Sequence, residues 1–304
     1  MHNKRTILAF LLMLAIVPFN FFFALIPQKS ATAATVTLPS FSHIFIIVLE
    51  NTEYSDIIGN PSAPYFNSLA SQYGLATQYY AIRHPSLPNY MALTGGSTFD
   101  IKSDCRLCYK NATNITDQIE ASGRTWRAYM ESMPTPCYIG DSPDGLYAQK
   151  HDLFIYYNDI RLNTARCTAD VVPFTQFSVD LSNNALPNYA WITPNMCDDA
   201  HDCPLSVADA WLSQVVPTIL NSSAYQDNGL LFITMDEGTT NLGCCNNAKG
   251  GHVATLVISP LVPSGYQSTV PETHYSLLRT IEDSWGLNPL RKAKTSSAMS
   301  EFFP

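Results

Sequence analysis

The sequence predicts an α/β layer fold, a mostly parallel central sheet flanked by helices. Three observations predict it. Continuous apolar runs of strand length recur along the chain. Helical patterns lie between them, the alternation that builds parallel sheets. Two of the runs end abruptly in acidic pairs, and open α/β sheets bind ligands beyond the carboxyl ends of their strands.

Each element follows from local pattern. Residues 42–50 (SHIFIIVLE) form an unbroken apolar run that suits a strand buried on both faces. Residues 189–193, 230–235 and 254–258 read the same way, and 124–130 is a weaker strand. Helical patterns cover 64–72, 115–121, 207–220 and 274–285. No repeat and no long linker interrupts them, so residues 34–304 are expected to form a single domain.

The 304 residues are 46% hydrophobic and 14% charged, which supplies a large core and argues against disorder. The first 33 residues stand apart. Lys4 and Arg5 precede the apolar run 7–17, and Ala31-Thr32-Ala33 offers a small-residue cleavage site, the pattern of a secretory signal peptide. An uncleaved membrane anchor is the other reading of that run. Cleavage after Ala33 removes Lys4, Arg5 and Lys29 and no acidic residue, taking the net charge from −8 to −11. The mature chain is then expected to be secreted, with no stable membrane anchor and no basic face for nucleic acid.

Eight cysteines in an exported chain imply disulfides. The local pair Cys197 and Cys203 is the expected bridge and would pin the loop that carries His201. Cys105 and Cys108 with Cys244 and Cys245 offer a zinc reading, which an oxidising compartment disfavours.

The chemistry gathers at the strand ends. Glu50-Asn51 follows the first strand and Asp236-Glu237-Gly238 follows another. Three carboxylates and an amide meeting at one place would repel and take up protons unless a cation joined them. Oxygen ligands suit a hard divalent cation, magnesium, calcium or manganese rather than zinc. Ordinary turn and capping polarity is the alternative for either pair alone. His84-Pro85-Ser86-Leu87-Pro88-Asn89 places a serine just ahead of a helix start, where backbone N–H groups favour a phosphate. A cation beside Ser86 would make it a nucleophile, with Asn89 as a donor to a phosphoryl oxygen. The loop Asp198-Asp199-Ala200-His201-Asp202 offers a proton donor or a further ligand, and Gly250-Gly251-His252 brings a second histidine to a strand entrance. His274 reads as a helix-start residue, and His43 and His151 have no evident partners.

Taken together and in order, these motifs resemble the bacterial phosphoesterase family, which holds secreted acid phosphatases and phosphatidylcholine-type phospholipases C within the alkaline phosphatase-like superfamily. The resemblance runs from about Phe41 to Leu287 and includes the helix Thr273-His-Tyr-Ser-Leu-Leu-Arg-Thr-Ile-Glu282. The short length and the His-Pro-Ser form look closest to the small secreted acid phosphatases. The resemblance implies that Ser86 becomes phosphorylated, that Glu50, Asn51, Asp236 and Glu237 ligate metal together with Ser86, that Asn89 holds the phosphoryl group, and that His201 and His252, with Asp198 or Asp199, match a second-metal region or contact phosphate directly. Asp199, His252 and His84 are the further candidate substrate contacts. His201 is expected to protonate the leaving group or to hold the phosphoryl oxygens. Glu237 stands where the wider superfamily commonly has a histidine, which argues against a two-zinc site. The implied substrate is a small phosphomonoester or a phosphoinositide or phospholipid headgroup. A phospholipase C-type phosphodiesterase and a non-catalytic, disulfide-braced surface binding protein are the alternatives. A serine carboxylesterase lacks its Gly-x-Ser-x-Gly elbow here.

Overall fold

A computed structural model describes residues 38–304, so the expected signal peptide lies outside the described residues. Among the described residues ten strands occur: β1 (His43–Leu49), β2 (Gly74–Ala76), β3 (Tyr79–Tyr80), β4 (Trp126–Met130), β5 (Val171–Pro173), β6 (Tyr189–Thr193), β7 (Gly229–Met235), β8 (Thr255–Ile258), β9 (Gln267–Ser268) and β10 (Glu272–Thr273). Eight form one sheet in the order β5-β4-β6-β1-β7-β8-β2-β9, and β10 and β3 pair separately.

The middle of the sheet is β1. It runs parallel to β6 on one side and β7 on the other. Residues Ile44 to Leu49 are fully buried, because helices cover both faces and leave no side for polar alternation. The register sets Leu49 opposite Met235. Glu50 and Asp236 therefore step off neighbouring strands at the same level, which is how residues distant in sequence reach one place.

The sheet is parallel from β5 through β7, then reverses: β8 runs antiparallel to both β7 and β2. No helix separates β7 from β8. A parallel neighbour needs a crossover, so a chain that returns through a loop alone pairs antiparallel.

The helices Pro64–Gln72 and Ile115–Ala121 have the bounds expected from sequence. Leu205–Leu220 begins two residues early, and His274–Ser284 ends one residue early. Asn114 caps its helix through a reciprocal box with Asp117, and Thr273 does the same with Ser276. Bridges join Cys197 to Cys203, Cys105 to Cys108 and Cys137 to Cys167. The bridge between Cys105 and Cys108 consumes both sulfurs and removes the zinc reading. Cys244 and Cys245 are free. Among the described residues no helix is long and apolar enough to cross a membrane.

Candidate active site

Ser86 opens the ten-residue helix Ser86–Gly95 and is 1% exposed. Its hydroxyl donates to Glu50 Oε2 at 3.1 Å and lies 3.4 Å from Glu237 Oε1. The two strand ends thus meet at one serine. Asn51, in the left-handed region at φ 45°, turns its N–H onto Asp236 Oδ1 at 3.2 Å. Asparagine tolerates that conformation better than most residues. The second oxygen of Asp236 is buried and has no partner.

The opposite wall comes from the cysteine-bridged loop and from a 3-10 turn, Gln149–His151. Glu50 N–H donates to the Asp199 carbonyl at 2.8 Å, tying that loop to the end of β1. His151 is buried between Glu50 Oε1 and Asp199 Oδ2, each 3.2 Å away. Those contacts are not aligned as hydrogen bonds, so His151 Nε2 and Asp199 Oδ2 stay unpartnered. Asp199 Oδ1 accepts the His201 N–H at 2.8 Å. The ring of His201 lies between Asp202, 2.7 Å from Nδ1, and Lys150, 2.9 Å from Nε2. An ammonium only donates. Nε2 therefore presents a lone pair to Lys150, and Nδ1 carries the proton toward Asp202. The proton transfer to a leaving group expected of His201 does not belong to Nε2 in this arrangement.

Three residues expected to contact substrate make contacts within the chain. Asn89 is fully buried, and all its hydrogen-bonding capacity serves backbone. Its Oδ1 accepts from Ile82 and Arg83 N–H, and its Nδ2 donates to the Arg83 and Pro85 carbonyls. It braces the segment leading to Ser86, which includes the cis His84-Pro85 bond. His252 stacks between Tyr54 and Tyr80 at centroid distances of 4.4 and 5.0 Å, with Nε2 on the Thr77 carbonyl. His84 sits against Glu237 Oε2 at 2.7 Å and the Thr240 carbonyl at 2.8 Å. It orients Glu237.

Sequence reasoning missed His151, Lys150, Asp104 and Glu53. Asp104 Oδ1 accepts the Leu87 N–H beside Ser86, and its Oδ2 faces Lys150 at 3.6 Å. Glu53 accepts from Thr239, Thr240 and His252 and ties the loop after β7 to the entrance of β8. A Cβ on Gly251 would lie 2.7 Å from Gly238 Cα, so glycine lets those two loops touch. His274 does open its helix, but it is also fully buried. Its Nε2 donates to the Asp236 carbonyl at 2.6 Å and its Nδ1 faces the Tyr79 hydroxyl. Burial pushes its pKa down to about 4, so it stays neutral while holding the end of β7.

Residues 60–288 match the Phosphoesterase family. The chain belongs to that family. It is 30% identical over 273 residues to an acid phosphatase of Aspergillus fumigatus, covering 86% of this chain and 59% of that one. It is 32% identical over 258 residues to a probable acid phosphatase of Kluyveromyces lactis, covering 82% and 59%. It is 32% identical over 267 residues to the phosphatidylinositol-3-phosphatase of Mycobacterium tuberculosis, covering 86% and 82%. The chain thus spans about three fifths of these fungal relatives. Among solved structures, a protein in the alkaline phosphatase superfamily from Vibrio parahaemolyticus superposes with a TM-score of 0.56 at 13% identity, over 85% of this chain and 71% of that one. The phosphonate monoester hydrolase of Silicibacter pomeroyi gives 0.56 at 12% identity, over 86% and 76%. The fold is alkaline phosphatase-like.

Electrostatics sharpen what this Phosphoesterase family site can hold. Burial, then Asp236 and Asp199, raise the Glu50 carboxyl well above its usual range. Burial pushes Asp236 up to about 6 and Asp199 up to about 7. Burial and the neighbouring Asp236 push Glu237 up to about 9. Carboxylates forced together resist ionising together. A cation removes that penalty, and the buried orphan atoms Asp236 Oδ2, Asp199 Oδ2 and His151 Nε2 are what a metal would satisfy. Ligand atoms of Glu50, His151 and His201 lie within 4.8 Å of one another. The residues fit a divalent cation. The two imidazoles would make the donor set mixed; the sequence offered His201 as a further ligand, and His151 joins it here.

Proposed function

We propose that this chain is a secreted, metal-dependent phosphomonoesterase that works through a phosphoserine on Ser86. The observation that carries the reading is the Ser86 hydroxyl, buried at a helix N-terminus and set between the carboxylates of Glu50 and Glu237. Family membership and relatives named acid phosphatases support the reaction class.

Glu50, Asp236 and Glu237, with Asn51 and Ser86, would hold the cation, and His151, Asp199 and His201 line its other side. When bound there, a divalent cation lowers the serine hydroxyl's pKa and offsets charge on phosphoryl oxygens. Carboxylate donors suit magnesium, calcium or manganese, and the imidazoles widen the choice to zinc. The chain's own residues do the rest. Glu50 accepts the Ser86 hydroxyl and orients its lone pair. The Ser86 proton passes to Glu50 Oε2 as Ser86 Oγ attacks phosphorus, the Oγ–P bond forms, and the bond to the alcohol oxygen breaks. The charge develops at the N-terminal end of the helix Ser86–Gly95, where the helix dipole favours it. The alcohol leaves with a proton from the partly exposed side of the site, near His201 and Lys150. Water then cleaves the phosphoserine and releases phosphate. Splitting one displacement into two is the gain of covalent catalysis.

Turnover of a chromogenic phosphomonoester and of the matching diester, with and without chelator, tests the reading. Wild type should hydrolyse the monoester, lose activity in chelator and regain it with a divalent cation. Ser86→Ala should melt like wild type and lose roughly 10⁴-fold or more in turnover, as expected for a nucleophile. A folded Ser86→Ala protein with near-wild-type turnover would end the covalent mechanism.

A further inference from the structure

Lys150 is held at the edge of the acidic centre by its surroundings. Its neighbours on the 3-10 turn are locked. Gln149 is 1% exposed, takes Asp141 Oδ1 on its N–H and gives its side-chain amide to the Arg106 carbonyl. His151 is buried against Glu50 and Asp199. The lysine stem is therefore fixed at both flanks, and its side chain is 19% exposed.

The ammonium carries three donors and no acceptor. Among the described residues one donor is used, on His201 Nε2 at 2.9 Å. Asp104 Oδ2, at 3.6 Å, is beyond hydrogen-bond reach. Two donors remain. A structural reading does not account for this placement, because a long ion pair to a partly exposed partner is worth only about 0–1 kcal/mol. Position points elsewhere. Asp104 touches Lys150 with one oxygen and the Leu87 N–H with the other, so the ammonium sits on the side where Ser86 opens its helix. The same charge acts on the carboxyls of Glu50, Asp199, Asp236 and Glu237. Lys150 is thus a fixed positive charge built into an otherwise acidic centre.

We propose that the Lys150 ammonium takes a non-bridging oxygen of the bound phosphoryl group and makes the site selective for dianionic phosphomonoesters over monoanionic diesters. This rests on the phosphatase reading and deepens it. A monoester presents one more negative charge than a diester, and a fixed ammonium favours the more highly charged group. A phosphoryl oxygen can accept from one of the two unused Lys150 donors while the third stays on His201 Nε2.

The test uses the full chain with its divalent cation and three variants: Lys150→Met, Lys150→Gln and Lys150→Arg. The readouts are kcat/KM on a chromogenic phosphomonoester and its matching diester, and the inhibition constant of inorganic phosphate. Loss of a charge-assisted hydrogen bond should lower monoester kcat/KM in Lys150→Met roughly 10- to 100-fold. The diester should lose about half that free energy, roughly 3- to 10-fold, because a monoanion carries half the charge of the dianion. Phosphate inhibition should weaken by a factor similar to the monoester loss, and Lys150→Arg should recover most of both. Lys150→Gln gives the same comparison if Lys150→Met fails to fold. Equal losses on monoester and diester, or an unchanged phosphate inhibition constant in a folded variant, would overturn the assignment of Lys150 and leave the phosphatase reading standing. A wild-type chain that cleaves neither ester would remove both.

Discussion

Glu50 and Glu53 are the same residue type three positions apart, both buried, and the protein treats them in opposite ways. Glu53 receives four donors: the N–H groups of Thr239, Thr240 and His252 and the Thr240 hydroxyl. Burial alone would raise its pKa, but the hydrogen bonds from His252, Thr240 and Thr239 outweigh it and hold the carboxyl below its usual value. Glu50 faces Tyr90, Ser86 and His151 and shares its space with Asp199 and Asp236, and its pKa is raised. One carboxylate is satisfied by the chain. The other is left wanting positive charge. The difference teaches that the supply of donors decides whether a buried acid serves as a brace or as a ligand.

Removing each acid should break the comparison differently. Glu50→Gln should cut cation affinity by more than the roughly 10–100-fold that loss of an outer-sphere partner costs. The metal-free protein should melt at or above the wild-type temperature, since one buried repulsion is gone. Titration calorimetry and thermal melts in chelator check both halves. Glu53→Gln should show the reverse. Backbone donors left without a carboxylate should cost about 1–3 kcal/mol of stability, while cation affinity stays near wild type.

The pH dependence sharpens the same contrast. Asp236 and Asp199 have folded pKa values of about 6 and 7, above the unfolded value of about 3.9. The folded, metal-free state therefore holds the extra protons. Their stabilising share is complete below about pH 4 and is lost as pH rises through about 6 and 7. A cation competes for the same oxygens, so the rise in melting temperature on adding saturating metal should grow from pH 4 to pH 8. A rise that shrinks with pH would contradict a site made of these carboxylates. The smallest effect is expected at His252. His252→Ala removes an aromatic sandwich and one hydrogen bond to the Thr77 carbonyl, so it should cost about 1–2 kcal/mol. Monoester kcat should change less than about threefold, because the ring makes no contact with Ser86 or its carboxylates. Steady-state kinetics beside a melt would show it.

What was legible in the sequence follows the physics of each signal. Strands β1 and β7 were readable because burial on both faces leaves an unbroken apolar run, and their acidic ends stood out against it. The direction of β8 was not readable, since strand pattern carries no direction and only the missing crossover helix reveals it. Strands β2, β3, β9 and β10 are too short to show a period. The serine and both acidic pairs were legible by motif. His151 and Lys150 were not, because they sit on a three-residue turn about a hundred positions from Glu50, and only the packing of that turn against Asp199 unites them. The backbone contacts of Asn89 and His252 were not legible for a different reason. Both are good donors, and irregular backbone at residues 77 and 82–85 needed partners first.

The most direct test of the account asks where the phosphoryl group goes. Metal-loaded wild type should be mixed with an excess of chromogenic phosphomonoester, quenched in acid during turnover, digested and read by peptide mass. The account predicts phosphate on the peptide that contains Ser86, absent from the Ser86→Ala protein and absent when the cation is stripped before mixing. Sustained turnover with no phosphopeptide at any quench time, or phosphate on a histidine peptide instead, would contradict it.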